Sequence, residues 1–461
     1  MQFQGNREKS NFDLATMVGV NPLSDNTEQS RSINGFPSIS TNDLGEPNRL
    51  LFPPAKMYAR RILRSSSRSI VTQHFLQHRF GRITPLNVLV LNPGSSTLKY
   101  AFYSNGVESR HDTIALNLTD LPRYADRSSS NQGSLDQYFA KALRRITAHL
   151  PIFPDVIGYR VVHGGRLFSK PARIDETVLA GIRSLSELAP LHQPYCLAAI
   201  EMGRTAFPDK THVACFDTAF HASLPAVESR LPIPKRFWEQ GVQRYGFHGL
   251  SYESIAMQLR ETYSEFAQRC VAVCHLGNGA SVCGMRSLQC CYTSMSFTPL
   301  DGLIMGTRSG QIDPGVVLHW LRQGYTHEEI ERILLKESGL LGVSGVSSDM
   351  KVLLREASSN PDCEFAINQF CRSVARHILA AAVSMAGLDV IIFTAGIGEN
   401  CPSIRSQIIK QLDWLGLRLD SEANQSNQSP ILHHPASKIA LLKLATDEQR
   451  IVARHAMSLI S

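Results

Sequence analysis

"VLVLNPGSSTLKYAFY", residues 88–103, begins as an apolar run, breaks at Asn92-Pro93-Gly94 into two serines and a threonine, then resumes with Leu98, Tyr100 and Phe102 alternating around Lys99. Alternation of this kind predicts strand, turn, strand. A turn made of small, hydrogen-bonding residues can close an ordinary surface hairpin, where glycine serves only backbone conformation. It can also present converging backbone N–H groups to an anion, because small side chains let a phosphate oxygen come close. Alone, the stretch favours the plain hairpin.

A second copy changes the balance. "VAVCHLGNGASVCGM", residues 271–285, again runs from apolar strand through a Gly/Asn/Ser turn into strand, about half a chain downstream. Two copies of one unusual unit predict an internal duplication and two similar domains facing each other. Gly94 to Thr97 and Gly277 to Ser281 would then bracket a polyphosphate from two sides, with Lys99 as a point charge near a transferring group. "DVIIFTAGIGENCPSIR", residues 389–405, follows as buried-type strand, Gly-rich turn and helix start. No G-x-x-x-x-G-K-[ST] sequence occurs, which excludes a P-loop protein. The Gly396-Ile397-Gly398 turn has Cys401 where a dinucleotide fingerprint needs a third glycine, so it is better placed against a ribose or adenine.

Around these units the chain alternates strand-like and helical patterns from near Leu86 to its end, which is α/β in class. Residues 1 to about 56 are rich in Asn, Ser, Gly and Pro without apolar periodicity and are expected to be disordered. Residues 57–82 carry six arginines and no acid, a composition like a transit peptide. Such signals start at the N-terminus, however, so a basic extension or a translation start at Met57 or later ranks higher. The formal charge of +7 owes much to this segment, and so it does not indicate nucleic acid. No apolar run reaches the roughly 20 residues of a bilayer span. Ten cysteines without a C-x-x-C pair point to reduced thiols in a cytosol, with neither a disulfide framework nor a zinc knuckle.

Several charged residues sit in odd company. Arg160 and His163 lie among apolar residues and paired glycines in "GYRVVHGG", so Arg160 must find an anion, either an internal carboxylate or a substrate. Asp217 and His221 end an apolar strand in "FDTAFH", and His248 sits between an aromatic and a glycine; isolated histidines of this kind are more often satisfied core residues. Arg308, in "GTRSGQIDPG", occupies a Gly/Ser/Thr loop where packing does not explain it.

Taken in order, Asn92 to Lys99, Gly158 to Gly165, "LAPLHQP", "FDTAFH", "YGFHGLS", "HLGNGASV", "GTRSGQIDPG", "SGLLGVSGVSSDM", "FTAGIGEN" and "TDEQRIVAR" resemble the successive motifs of the acetate kinase family across residues 87–461. The resemblance implies the acetate and sugar kinase, Hsc70 and actin superfamily fold: two duplicated, ribonuclease H-like α/β domains with a nucleotide cleft between them. It places domain I at 86–217, completed by 446–461, and domain II at 218–445. It implies ATP or ADP with Mg²⁺, or Mn²⁺ in its place, acetate and acetyl phosphate, a cytoplasmic homodimer, and neither nucleic acid nor membrane as partner. By the resemblance, Asn92 and Glu448 help hold the metal and Lys99 the phosphates. The nucleotide lies against His275, Leu276, Gly277, Asn278 and Gly279, against Asp349, Met350 and Lys351, and against Gly396, Ile397, Gly398, Glu399 and Asn400. Arg160 and Arg308 flank acetate and the moving phosphoryl group, His192 and His248 donate hydrogen bonds to it, and Asp217 is the catalytic aspartate. Val162, Leu191, Phe247 and Pro299 form the methyl pocket.

The sequence departs from the family pattern at Pro93, at Tyr252 in place of a histidine, at Gln311 in place of an acid and at Lys351 in place of an arginine. The chemistry needs no general base, because a carboxylic acid with pKa ~4 is already ionised at neutral pH. What it needs is in-line placement and cancelled repulsion between anions. Asp217 is therefore expected to organise an arginine or a metal-bound water instead of taking a proton. The competing readings are a propionate or other short-chain carboxylate kinase, and a chaperone- or filament-type ATPase without an acid pocket.

Overall fold

The computed structural model describes residues 86–94, 97–116, 132–190 and 192–460, residues 132–136 by backbone alone. The N-terminal segment 1–85, Ser95, Ser96 and Leu191 lie outside the described residues. Two sheets organise the described chain. The first holds β1 (Asn87–Pro93), β2 (Thr97–Ser104), β3 (Val107–Ala115), β4 (Val156–Val161), β5 (Ala172–Arg173) and β6 (Thr211–Phe216) in the order β3-β2-β1-β4-β6-β5. The second holds β7 (Cys270–Leu276), β8 (Ala280–Arg286), β9 (Gln289–Thr293), β10 (Val390–Thr394) and β11 (Ala440–Lys443) in the order β11-β10-β7-β8-β9.

The two sheets repeat one topology. In each, three strands form an antiparallel meander, and the first of them continues into two parallel neighbours: β1 to β4 and β6, β7 to β10 and β11. Each meander carries a register shift between its second and third strands, at Phe102/Tyr103 and at Gly284/Met285. This is the duplicated α/β architecture expected from the two quoted hairpins. The β1 residues are all buried, as a central strand covered on both faces requires. The β3 strand is almost wholly exposed and carries four charged or histidine side chains, which suits an unpaired edge.

Helices cover the sheets through apolar positions three and four residues apart. The helix Pro361–Met385 starts at an Asn360 cap with proline in its first turn and buries Cys363, Ala366, Ile367, Phe370, Val374, Ile378 and Ala381. The helix Gly249–Glu261 serves both sheets: Leu250 and Met257 pack with Val213 and Ile451, while Tyr252, Ile255, Ala256 and Leu259 pack with Val271 and Ile392. The last helix, Glu448–Ser458, returns to the first sheet, where Ile451, Val452, Ala453 and Ala456 meet Val88 and Val90. Its approach is close, since a Cβ on Gly158 would stand 2.7 Å from Val452 Cγ1. The chain's end thereby brings Glu448 to the ends of β1 and β4. Among the described residues, no helix is long and apolar enough to cross a membrane.

Candidate functional site

The β1–β2 turn is closed by the Gly94 amide donating to the Thr97 carbonyl at 2.8 Å, and Asn92 stands directly across from Lys99 in the ladder. The neighbouring parallel strand β4 supplies Arg160, and the end of β6 supplies Asp217. Arg160 donates from Nε to Asp217 Oδ1 and Oδ2 at 3.0 and 3.1 Å, and from Nη2 to Oδ2 at 2.6 Å. The anion that Arg160 needs is thus an internal carboxylate. Only Nη1 faces elsewhere, toward Asn92 Oδ1 at 3.2 Å and Glu448 Oε2 at 3.7 Å. Asp217 is 1% exposed, so burial pushes its carboxyl above the usual range while Arg160 pulls it back. Burial also works to raise Glu448, but Arg160, His275, Lys99 and an Asn92 hydrogen bond hold it below its ordinary value.

The second turn faces the same group. Gly277 N–H donates to the Gly279 carbonyl at 3.2 Å, and His275 stands across from Ser281. The His248 ring stacks on His275 with centroids 4.2 Å apart, and its Nδ1 lies 2.8 Å from Ser281 Oγ. A Cβ on Gly279 would point at His248 Nε2, 3.5 Å away, and at Arg308 Nη1, 3.8 Å away. Loop 299–308 closes on this turn, with Gly306 N–H donating to the Asn278 carbonyl at 2.9 Å. Arg308 donates to the Pro299 carbonyl at 3.1 Å and lies 3.4 Å from His192 Nε2. The two groups of side chains, from different sheets, lie within electrostatic range of each other: His275 interacts with Glu448 and Arg160, and His248 and His192 with Arg160.

His248 adopts a left-handed backbone, φ 59°, as the cap of the helix Gly249–Glu261. For a non-glycine residue that costs roughly 1–2 kcal/mol, a strain found at sites where a side chain must be aimed. Its tautomer follows from hydrogen-bond accounting. Tyr252 also hydrogen-bonds Ser281 Oγ. Only if Tyr252 O–H donates to Ser281, and Ser281 O–H to His248 Nδ1, does every hydroxyl proton find an acceptor. His248 then carries its proton on Nε2, toward Gly279 and Arg308. The phenol at position 252, a departure from the family pattern, thus acts through Ser281 on the His248 ring.

Burial works against a charge on His192, His248 and His275. Burial, then the Arg308 and Arg160 charges, push His192 down to about 3. Burial and neighbouring His275 push His248 well below its ordinary value, and burial lowers His275 to about 4 and core His163 to about 4. His221, raised by Cys290 against its own burial, is shifted the other way. A histidine depressed in the folded state is protonated first in the unfolded chain, so stability is lost as pH falls from about 6.5 toward 4. The urea midpoint is expected to be clearly lower at pH 5 than at pH 7.5, with His221 offsetting part of the effect. An unchanged midpoint would mean that these rings are charged in the folded protein.

The remaining sequence-derived residues divide by side chain. Leu276 and Met350 have buried side chains, which leaves only their backbones available to a ligand. Asp349 caps its own helix by accepting from Lys351 N–H at 2.8 Å, and Asn400 donates to the Gly396 carbonyl at 2.9 Å. Glu399 turns back to accept from Ala395 N–H at 2.8 Å. A Cβ on Gly396 would meet nothing within 4 Å, which leaves open space beside this turn, whereas Gly398 packs on Phe393. Ile397 is half-buried against the core. Phe247 and Val162 are buried and Pro299 is half-buried beside Arg308, while Leu191 lies outside the described residues.

One supporting residue escaped the sequence reading. Arg405 is fully buried and donates to the Gly398 and Glu399 carbonyls at 2.8 and 3.0 Å, with Asn424 and Asn427 taking its other protons. It fixes the end of the short helix Ala395–Asn400 with carbonyl oxygens instead of a carboxylate. The available signal was an arginine at an apolar-period position between Ile404 and Ile408.

The donor set suits a hard divalent cation. Glu448, held below its ordinary value, accepts from the Asn92 amide nitrogen, the Asn92 amide oxygen accepts from Arg160, and Asp217 already neutralises that guanidinium. One carboxylate and one amide oxygen are what a cation sharing its shell with phosphates and water requires.

The chain as a whole is similar to known proteins. The chain is 41% identical over 387 residues to the acetate kinase of Rhodopseudomonas palustris (strain TIE-1), covering 80% of this chain and 97% of that protein. It is 40% identical over 397 residues to the acetate kinase of Methylocella silvestris, covering 81% and 98%. Among solved structures, the acetate kinase of Entamoeba histolytica superposes with a TM-score of 0.71 at 31% identity, covering 81% of this chain and 99% of that one. A propionate kinase from Francisella tularensis gives 0.69 at 31% identity over the same shares. The model of the acetokinase family matches residues 87–454, which takes in both hairpins, both arginines and Glu448, and the chain belongs to that family.

Proposed function

We propose that the chain is an acetate kinase, moving the γ-phosphoryl group of ATP reversibly to acetate to give acetyl phosphate and ADP. What supports this reading is that side chains flanking the two small-residue turns, one from each sheet, interact electrostatically, His275 with Glu448 and Arg160, while Arg308 pairs with His192 beside His248. Hydroxamate-trapped acetyl phosphate formed by the full chain from acetate, ATP and Mg²⁺ tests it. ATP turnover indifferent to any added carboxylate would overturn it.

Acetate arrives ionised, so no residue needs to take its proton. The Gly277–Gly279 turn offers backbone amides to the polyphosphate, and Lys99, across from Asn92, adds a mobile positive charge. Mg²⁺, held by Glu448 and Asn92 with phosphate oxygens, would supply charge neutralisation on the transferring group. Arg160 is spent on Asp217, so it acts as a fixed charge with only Nη1 toward the reacting space. Arg308 is the guanidinium left to meet the acid and the equatorial phosphoryl oxygens. His248 Nε2–H adds a neutral donor. His192 accepts from Arg308 through Nε2, so it can donate only through Nδ1. Charge that is positioned before the reaction costs no reorganisation during it.

Val162 and Phe247, buried beside Arg160 and His248 in sequence, with Pro299 at Arg308, are proposed to line the methyl pocket. Val162→Ala is expected to raise propionate use relative to acetate by about tenfold, since one methylene is worth only about 1–3 kcal/mol. An unchanged ratio in a side-by-side assay removes Val162 from the pocket. We read the chain as domain I, 86–217 with 446–461, and domain II, 218–445. A second copy as partner is supported by Val316, Leu318 and Leu321, exposed on the helix Pro314–Arg322. Ten free cysteines support a reducing, cytoplasmic setting.

A further inference from the structure

Three soft donors that the transfer does not use meet in the core behind the reacting centre. His221 Nδ1 lies 3.1 Å from Cys290 Sγ, which lies 3.6 Å from Cys283 Sγ, and the three atoms all fall within 4.8 Å of one another. All three residues are buried. His221 Nε2 stands 2.9 Å from the Phe247 carbonyl oxygen, which can only accept. Nε2 therefore carries a proton, and in the neutral imidazole the Nδ1 lone pair is left facing the sulfurs, the orientation that a backbone carbonyl gives a metal-bound imidazole.

We propose that His221, Cys283 and Cys290 form a binding site for one thiophilic divalent cation, Zn²⁺ being the type. A tetrahedral zinc with bonds of about 2.3 Å to sulfur and 2.0 Å to nitrogen sets two sulfurs about 3.8 Å apart and sulfur about 3.5 Å from nitrogen. The Cys290–Cys283 and His221–Cys290 separations, 3.6 and 3.1 Å, already stand near those values. Charge favours a divalent ion: two thiolates and a neutral imidazole bring the site to zero, which an apolar core tolerates. Binding forms two metal–sulfur bonds and releases the two thiol protons to solvent.

The sheet offers a fourth group. Between β8 and β9 the ladder pairs Met285 with Cys290 but Gly284 with Tyr292, so the extra residue Cys291 brings Thr293 opposite Cys283. Side chains directly opposite in an antiparallel pair share a face. Thr293 Oγ1 is buried without a hydrogen-bond partner among the described residues, so its lone pairs are uncommitted on the face that carries Cys283. An occupied site would join β8 and β9 to the turn Ala219–Ser223 and, through the Phe247 carbonyl, to the backbone beside His248.

The test uses the full chain produced in zinc-supplemented medium. Native mass spectrometry is expected to find one zinc per chain, and Co²⁺ loading a thiolate-to-cobalt charge-transfer band, which cobalt at an all-oxygen nucleotide site does not give. Cys283→Ala and Cys290→Ala should each weaken binding roughly a hundredfold or more and remove the band. Kinase activity, which uses neither cysteine, reports whether the variants fold. X-ray absorption of the zinc-loaded natural chain gives a readout free of that concern, with two sulfurs and at least one imidazole nitrogen expected. No stoichiometric zinc, zinc retained by the double variant, or a shell without sulfur overturns the proposal.

Discussion

Arg308→Ala is expected to lower turnover by roughly 10²- to 10³-fold, the loss seen when one positioned donor to a developing charge is removed. The same change is expected to leave the urea midpoint unchanged or slightly higher. Arg308 is half-buried and burial lowers its pKa, with a backbone carbonyl, a thioether and an imidazole as its neighbours and, among the described residues, no carboxylate paired with it to repay the desolvation. Such a charge costs the fold something and is retained for what it does to a ligand. Nucleotide binding should survive, since the partners of Arg308 are Pro299, Met305 and His192 and not the Gly277–Gly279 turn. Near-normal turnover, or a large fall in stability, would remove Arg308 from the reacting centre.

Asp217→Asn should produce the opposite signature, a loss of both stability and activity. The carboxylate receives three charge-assisted hydrogen bonds from Arg160 and is almost wholly buried. An asparagine amide would set its own N–H groups against the guanidinium and leave that charge uncompensated. Removing one member of a buried pair costs about 3–5 kcal/mol, and turnover should fall at least 10²-fold as Arg160 loses its orientation. Combining Asp217→Asn with Arg160→Met separates the two effects. If the carboxylate serves to hold Arg160, the double variant regains stability relative to Asp217→Asn alone while remaining inactive. A double variant less stable than the single would show that Asp217 has another structural partner.

Much of this arrangement is legible in the chain. The β1–β2 and β7–β8 hairpins show as apolar runs broken by small residues, because strand periodicity and turn chemistry are local properties. The helix start after β10 is visible for the same reason. Arg308 stood out because a glycine-rich loop offers no packing reason for a guanidinium. Arg405 did not stand out, since its partners are carbonyls and amides up to 22 residues away that carry no charge pattern. Nor did the exchange of histidine for Tyr252 reveal its consequence, which depends on Ser281 being opposite His275 in the ladder.

The linear order of residues therefore determined the duplicated α/β class, the two small-residue turns and which side chains were candidates for the site. Only the tertiary structure decided how they divide the work. Whether Arg160 clamps a substrate or is held by Asp217, 57 residues away, depends on β4 and β6 lying side by side. That Glu448 faces Asn92 depends on the last helix crossing back over β1. Local propensity reaches a few residues along the chain, whereas charge compensation and burial act through space, and so the pairing of these groups is settled only when the sheets and the returning helix pack.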